Sequence, residues 1–238
     1  MSQNLEAQYN AGPTEDEPLL GRPGDAALPE GDSLTRNFVL GTAVVAQAGI
    51  WILAAIVWGA VFSNDLSLFS AHPLLNSAAV FFYVQGVLIL QPTHTKTQKI
   101  NGTYWHAGLN EIATAAAIAG LVVIEYNKFN HNGTHFVSPH AILGLITYIL
   151  VVIQVTVGIT QFFTPSLYGG EDNAKKMYKY HRASGYLVLT LMLATVCAAT
   201  QTDFNKNVLG MQLWAVIVSS VLVLAGILPR IKKAKFGF

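Results

Sequence analysis

The chain has 238 residues, 52% of them hydrophobic and only 11% charged, with a mean hydropathy of +0.42 and a formal net charge of +1. A soluble domain carries roughly 25% charged residues, so this composition points to a chain dissolved in lipid, and the near-neutral balance excludes nucleic acid as a partner. A single cysteine, Cys197, inside an apolar run, excludes a disulfide framework within the chain.

Residues 1–37 hold Gly, Pro, Asn and 7 of the 13 acidic residues. They read as a disordered acidic tail and lack the basic-then-apolar pattern of a secretory leader. Within the tail, Glu15-Asp16-Glu17-Pro18-Leu19-Leu20 resembles an acidic dileucine sorting signal, which acts in the cytoplasm and directs proteins to endosomal or lysosomal/vacuolar membranes. Without it, a plasma-membrane address stands.

Six apolar stretches follow: Val39 to Phe62, Pro73 to Gln91, Trp105 to Ile124, Pro139 to Phe163, about Arg182 to Gln201, and Val208 to Leu228. Each is close to the ~20 residues a helix needs to cross ~30 Å of hydrocarbon. Backbone groups in lipid must be satisfied internally, so these runs are helices. The predicted fold is an all-α membrane protein: a six-helix domain over residues 38–228 and a short basic tail over 229–238.

An even number of crossings puts both ends of this region on one side. That side collects Arg22, Arg36, Lys96, Lys99, Lys175, Lys176, Lys179, Arg182, Arg230, Lys232, Lys233 and Lys235, against Lys128 and Lys206 opposite. By the positive-inside rule both termini are cytoplasmic. Of two Asn-Gly-Thr sequons, Asn132 then falls in an outer loop open to glycosylation and Asn101 in an inner loop.

Four of the seven histidines stand at span starts: His72, His106, His140 and His181. Spans two and four begin on the outer side, spans three and five on the inner side. His72 and His140 therefore share one level, His106 and His181 the other. Each pair joins a His-x-x-x-Asn helix to a His-x-x-x-Gly helix through Asn76, Asn110, Gly144 and Gly185. Residues four apart share a helix face. Glycine there leaves room for a flat macrocycle, and asparagine offers polar support to the ligand.

Two facing imidazoles supply two axial ligands and leave the equatorial plane to a porphyrin. Zinc usually takes four protein ligands. No Cys or carboxylate accompanies His72, His140 or His181, and Glu111 lies about 140° round the helix from His106. Without a Cys-x-x-Cys-His motif the haem is of non-covalent b type. The expectation is two bis-histidine haems b inside a four-helix bundle of spans two to five.

Phe-Ser-Ala-His-Pro-Leu-Leu-Asn-Ser at 69–77 and Tyr-His-Arg-Ala-Ser-Gly-Tyr at 180–186 resemble the cytochrome b561 family, and the likeness extends over residues 38–228. The four histidines match that family's haem-ligating positions in order and helix number. The resemblance implies electron transfer from cytosolic ascorbate to monodehydroascorbate or ferric chelates on the far side. One string departs: ascorbate-specific members often end helix two in Ala-Leu-Leu-Val-Tyr-Arg, where this chain has Gly-Val-Leu-Ile-Leu-Gln at 86–91.

On that reading, the inner-face cations Lys96, Lys99, Lys175, Lys179 and Arg182 meet the anionic donor. Arg182, beside His181, alternatively serves a haem propionate. In the outer loop, His131 and His135 gather the acceptor, whereas His94 is a solvated inner-loop residue. Tyr83, Tyr148 and Tyr186 lie within spans and pack there. A haem-bearing anchor exchanging electrons with a partner enzyme or quinol is the alternative. A transporter using histidine relays fits less well, because no broken mid-membrane helices are evident. The sequence leaves a homodimer open.

Overall fold

The computed structural model describes residues 20–236. The fold is built on six helices: α1 (Ala43–Phe62), α2 (Ala71–Leu90), α3 (Lys96–Asn130), α4 (Pro139–Phe163), α5 (Glu171–Ala199) and α6 (Leu213–Ile227). All six segments are long and apolar enough to cross a membrane, and no strand occurs among the described residues. Of the acidic dileucine string, Glu15 to Leu19 lie outside the described residues.

Two helices are longer than their apolar runs. α3 begins at Lys96, where Thr95 caps it and Gln98 returns the bond to the Thr95 backbone. α5 begins at Glu171, after Gly169 and Gly170 turn the chain through positive φ, and Glu171 and Asp172 face the positive end of its dipole. His106 and His181 therefore sit ten residues inside their helices instead of at their starts, while His72 and His140 are each the second residue of theirs. The overhanging first turns of α3 and α5 stand out from the face that carries both ends of the described chain, here the terminal face. α6 is shorter than its apolar run, because a π-turn over Asn205–Leu209 and Gly210 in the left-handed conformation precede it.

α1 packs on α6 and α2, α2 on α3, and α4 on α5, whereas the α2–α3 and α4–α5 pairs touch each other sparingly. The α1–α6 contact depends on small residues. A Cβ on Gly49 would lie 2.6 Å from the Val223 nitrogen, and one on Gly226 would overlap Ala46. Without a hydrophobic drive between helices in lipid, such close backbone approach is what holds them. Side chains such as Trp51, Val122, Ile149, Val152 and Val221 point outward, as a lipid-facing surface requires.

The terminal face differs from the expectation of free tails at both ends. Residues 20–37, read from composition as disordered, pack along it: Leu28 is fully buried, and its N–H donates to the Pro92 carbonyl. Gly24 N–H donates to the Pro229 carbonyl, which ties the two ends together. The basic segment after α6 also docks. Arg230 is 2% exposed and donates to the carbonyls of Leu40, Asn37 and Leu88 and to Gln91 Oε1. Leu88 lies in the last turn of α2, whose carbonyls have no helical partner, so the guanidinium closes that helix end. Arg230→Gln is expected to cost about 3 kcal/mol through lost charge-assisted bonds, seen as a lower thermal midpoint in detergent.

Candidate haem-binding site

The four span histidines meet in two pairs. The His72 and His140 ring centres are 6.2 Å apart with planes at 88°, and those of His106 and His181 are 6.5 Å apart at 81°. The first pair lies toward the far face, the second toward the terminal face. Each pair bridges the thin seam between α2–α3 and α4–α5.

Local structure aims three of the rings. His72 Nδ1 donates to the Gly120 carbonyl at 2.9 Å, and His106 Nδ1 to the Gly86 carbonyl at 2.7 Å. These bonds run in opposite directions across the antiparallel α2–α3 pair. His140 Nδ1 donates to the Thr195 carbonyl at 3.0 Å across α4–α5. A ring nitrogen fixed on a carbonyl sets the tautomer and leaves the Nε2 lone pair as the one a metal could use. His181 is the exception: its Nδ1 is buried without a hydrogen-bond partner among the described residues. Its ring rests on Gly158, where an added Cβ would come within 3.0 Å of Cε1.

The requirement for one metal between two imidazoles is a ring-centre separation of about 6 Å, given metal–nitrogen bonds of about 2 Å. Both pairs meet it. The α2–α3 and α4–α5 pairs pack sparsely on each other, which suits a flat group held between them. One contact has to yield at the terminal-face pair: Asn110 Nδ2 lies 2.9 Å from His106 Nε2 and must turn aside for a metal there.

The supporting residues named from sequence fall in several places. Asn76 Nδ2 donates to the His72 carbonyl, and its Oδ1 accepts from Tyr148 at 2.5 Å. Tyr83 pairs with Thr114, and Tyr186 accepts from Gln91. Gly144 and Gly185 both face the α4–α5 interface. A Cβ on Gly185 would meet the Gln154 amide at 2.9 Å, so its missing side chain makes room for Gln154, whereas a Cβ on Gly144 would make only an ordinary contact with the Thr195 methyl at 3.7 Å.

On the terminal face, Lys175, Lys179 and Arg182 line a cavity of 260 Å³ together with Lys176, Tyr178, Lys235 and Phe236. Arg182 Nη1 donates to the Lys235 carbonyl at 2.7 Å, so it is engaged at this cavity. Lys96 and Lys99 are exposed on the first turn of α3 and do not line it. On the far face, His131 lines a cavity of 330 Å³ with Phe69, Tyr126 and neighbours, and Phe69 stacks on His72 at 5.8 Å and 13°. His135 is not part of it and instead pairs with Glu125 at 3.0 Å. Gly86, Gly120, Gly158 and Thr195 were not singled out by sequence reasoning, and Phe69 and Lys235 entered it only as part of a family-like string and of the basic side of the chain, respectively.

Six membrane-crossing helices with imidazoles facing each other at two depths form the frame of a membrane-bound b-type cytochrome. The chain belongs to the eukaryotic cytochrome b561 family, whose sequence model matches residues 71–206. Family membership implies haem b binding. Among curated relatives, the chain is 29% identical to the plasma membrane ascorbate-dependent reductase CYBRD1 of Mus musculus, covering 61% of this chain and 52% of that protein. It is 25% identical to the CYBRD1 protein of Xenopus laevis over 68% of this chain and 57% of the relative. Its identity to the transmembrane ascorbate-dependent reductase CYB561 of Homo sapiens is 26%, over 66% and 61%. The matched region thus spans about half to three fifths of each relative's length.

Proposed function

We propose that this protein carries electrons across a membrane from ascorbate on the cytoplasmic side to monodehydroascorbate or a ferric chelate on the other, by holding two haems b. The observation that carries the reading is the pairing of four histidines at two depths with ring separations of 6.2 and 6.5 Å. Haem b held by such pairs would supply one-electron transfer.

His72 and His140 would hold the far-face group, and His106 and His181 the terminal-face group. The carbonyls of Gly120, Gly86 and Thr195 keep His72, His106 and His140 oriented. His106 lies level with Gly86, fourteen residues along α2 from His72, so the two levels are roughly 21 Å apart. This divides a hydrocarbon layer of ~30 Å into shorter steps. The terminal face, rich in Lys and Arg, is the cytoplasmic one, and its basic cavity gathers the ascorbate anion. Each ascorbate gives up one electron and one proton there. At the far face, Phe69 and His131 border the cavity where the acceptor takes the electron.

The test is a purified, reconstituted protein. About two haems per chain with a reduced b-type spectrum are expected, and external ascorbate should reduce a ferric chelate trapped in vesicles. A chain that folds with no haem, or vesicles in which the trapped chelate stays oxidised while dithionite reduces the haem, would refute the proposal.

A further inference from the structure

Past α6 the chain turns back across the terminal face. Arg230 pins the turn, and a 3-10 turn over Lys233–Phe236 brings Lys235 and Phe236 against the first turns of α5. We infer that this C-terminal strap completes the donor pocket and that Lys235 is a direct contact for the ascorbate anion. This rests on the terminal face being the donor side.

The cations around the cavity are not equivalent. Lys175 is occupied by Glu171 at 3.3 Å and Asp172 at 3.6 Å. Lys176 donates to Asn173 at 3.0 Å, and the Lys179 ammonium sits 5.0 Å from the Tyr180 ring centre. Of the five cations only Lys175 meets a carboxylate within ion-pair distance among the described residues, and Lys235 differs from Lys176 and Lys179 in being half-buried and held in place by main-chain acceptors. Lys235 Nζ donates to the carbonyls of Gln91 and Thr93 at 3.1 and 3.2 Å, which fixes its position. Two neutral acceptors leave its charge uncompensated, and an anion in the cavity supplies what is missing.

The surroundings of Lys235 support this. Its ammonium is pushed down to about 8, first by burial and then by Arg182 on α5, Lys232 on the strap and Lys99 on α3. Lys175, Lys176 and Lys179 of α5 add to the positive wall, with Tyr178 between them. A group held below its ordinary value loses its proton as pH rises through about 8. An arriving anion stabilises the ammonium and pulls the value up. Lys235 thus attracts the donor most strongly below pH 8.

The experiment measures ascorbate-driven haem reduction by the full-length protein in detergent, with dithionite reduction as a control for haem content. The natural protein is expected to show a KM for ascorbate that rises above pH 8. Lys235→Gln is expected to raise that KM on the order of tenfold with kcat little changed, and to flatten its dependence on pH. Lys235→Arg, which stays charged, should keep a low KM at every pH. Lys233→Gln removes one charge from the same strap at an exposed position outside the cavity and should leave KM unchanged. If Lys235→Gln and Lys233→Gln behave alike, the inference is overturned. If ascorbate fails to reduce even the natural protein while dithionite succeeds, the donor-side reading itself is wrong.

Discussion

His106→Ala is expected to lower the haem content from about two per chain to about one, leaving the far-face haem with its spectrum intact. His72→Ala should do the converse. Each ring pair is a closed unit, in that His106 and His181 face each other and neither approaches His72 or His140. Levels roughly 21 Å apart exceed the range over which substitutions usually couple. Removing one imidazole also releases the glycine carbonyl it engages, but that carbonyl stays within its helical bond, so the bundle should fold. Haem per chain, compared with helix content by circular dichroism, reads the outcome. Loss of both haems from a folded variant, or of neither, would break the assignment of ligands to depths.

The six crossings were legible because hydrocarbon thickness imposes a length of apolar sequence that no other pressure mimics. The level of each histidine was legible for the same reason, since parity alone assigns it. Helix ends were less so. The overhangs of α3 and α5 are polar, and hydropathy stops at the lipid boundary although the helix does not. Their signals lay in capping chemistry: Thr95 with Gln98, and Gly170 before Glu171 and Asp172. The strap was illegible in a stronger sense. A short basic segment at a chain end resembles a solvated tail, and only the carbonyls of Asn37, Leu40 and Leu88, brought together by tertiary structure, give Arg230 a buried place. Leu28 is similar, being one apolar residue in a polar stretch that finds a slot beside Pro92.

The orienting glycines left a trace that histidine and asparagine spacing alone does not use. The same 34-residue step separates His72 from His106, Asn76 from Asn110 and Gly86 from Gly120. In an antiparallel helix pair, that repeat places each histidine opposite the other helix's glycine. The carbonyl that holds His140 belongs to Thr195, whose side chain carries no such signature, because a main-chain acceptor is available at any residue. The choice of candidate histidines is therefore written in side chains, while the orientation of their rings is written mostly in register.

Gly86→Val should accordingly empty the terminal-face site, and Gly120→Val the far-face site, with effects nearly as large as loss of a ligand. A Cβ on Gly86 would sit 2.8 Å from Asn110 Oδ1, and one on Gly120 would overlap the Asn76 amide. Both asparagines are short side chains already engaged beside their histidines, so they have little room to yield. Either α2 and α3 separate, or the asparagine swings into its imidazole. Overpacking of this kind costs about 1–3 kcal/mol, and its displacement falls on the ring whose Nδ1 bonds to the same glycine. Gly108→Val in α3 is the control, since a Cβ there meets nothing within 4 Å. Haem loss sorted by glycine, with Gly108→Val retaining both groups, is the expected pattern. Equal loss from all three variants would mean that any bulk in these helices loosens the bundle. Register across α2–α3 would then have no special hold on the histidines.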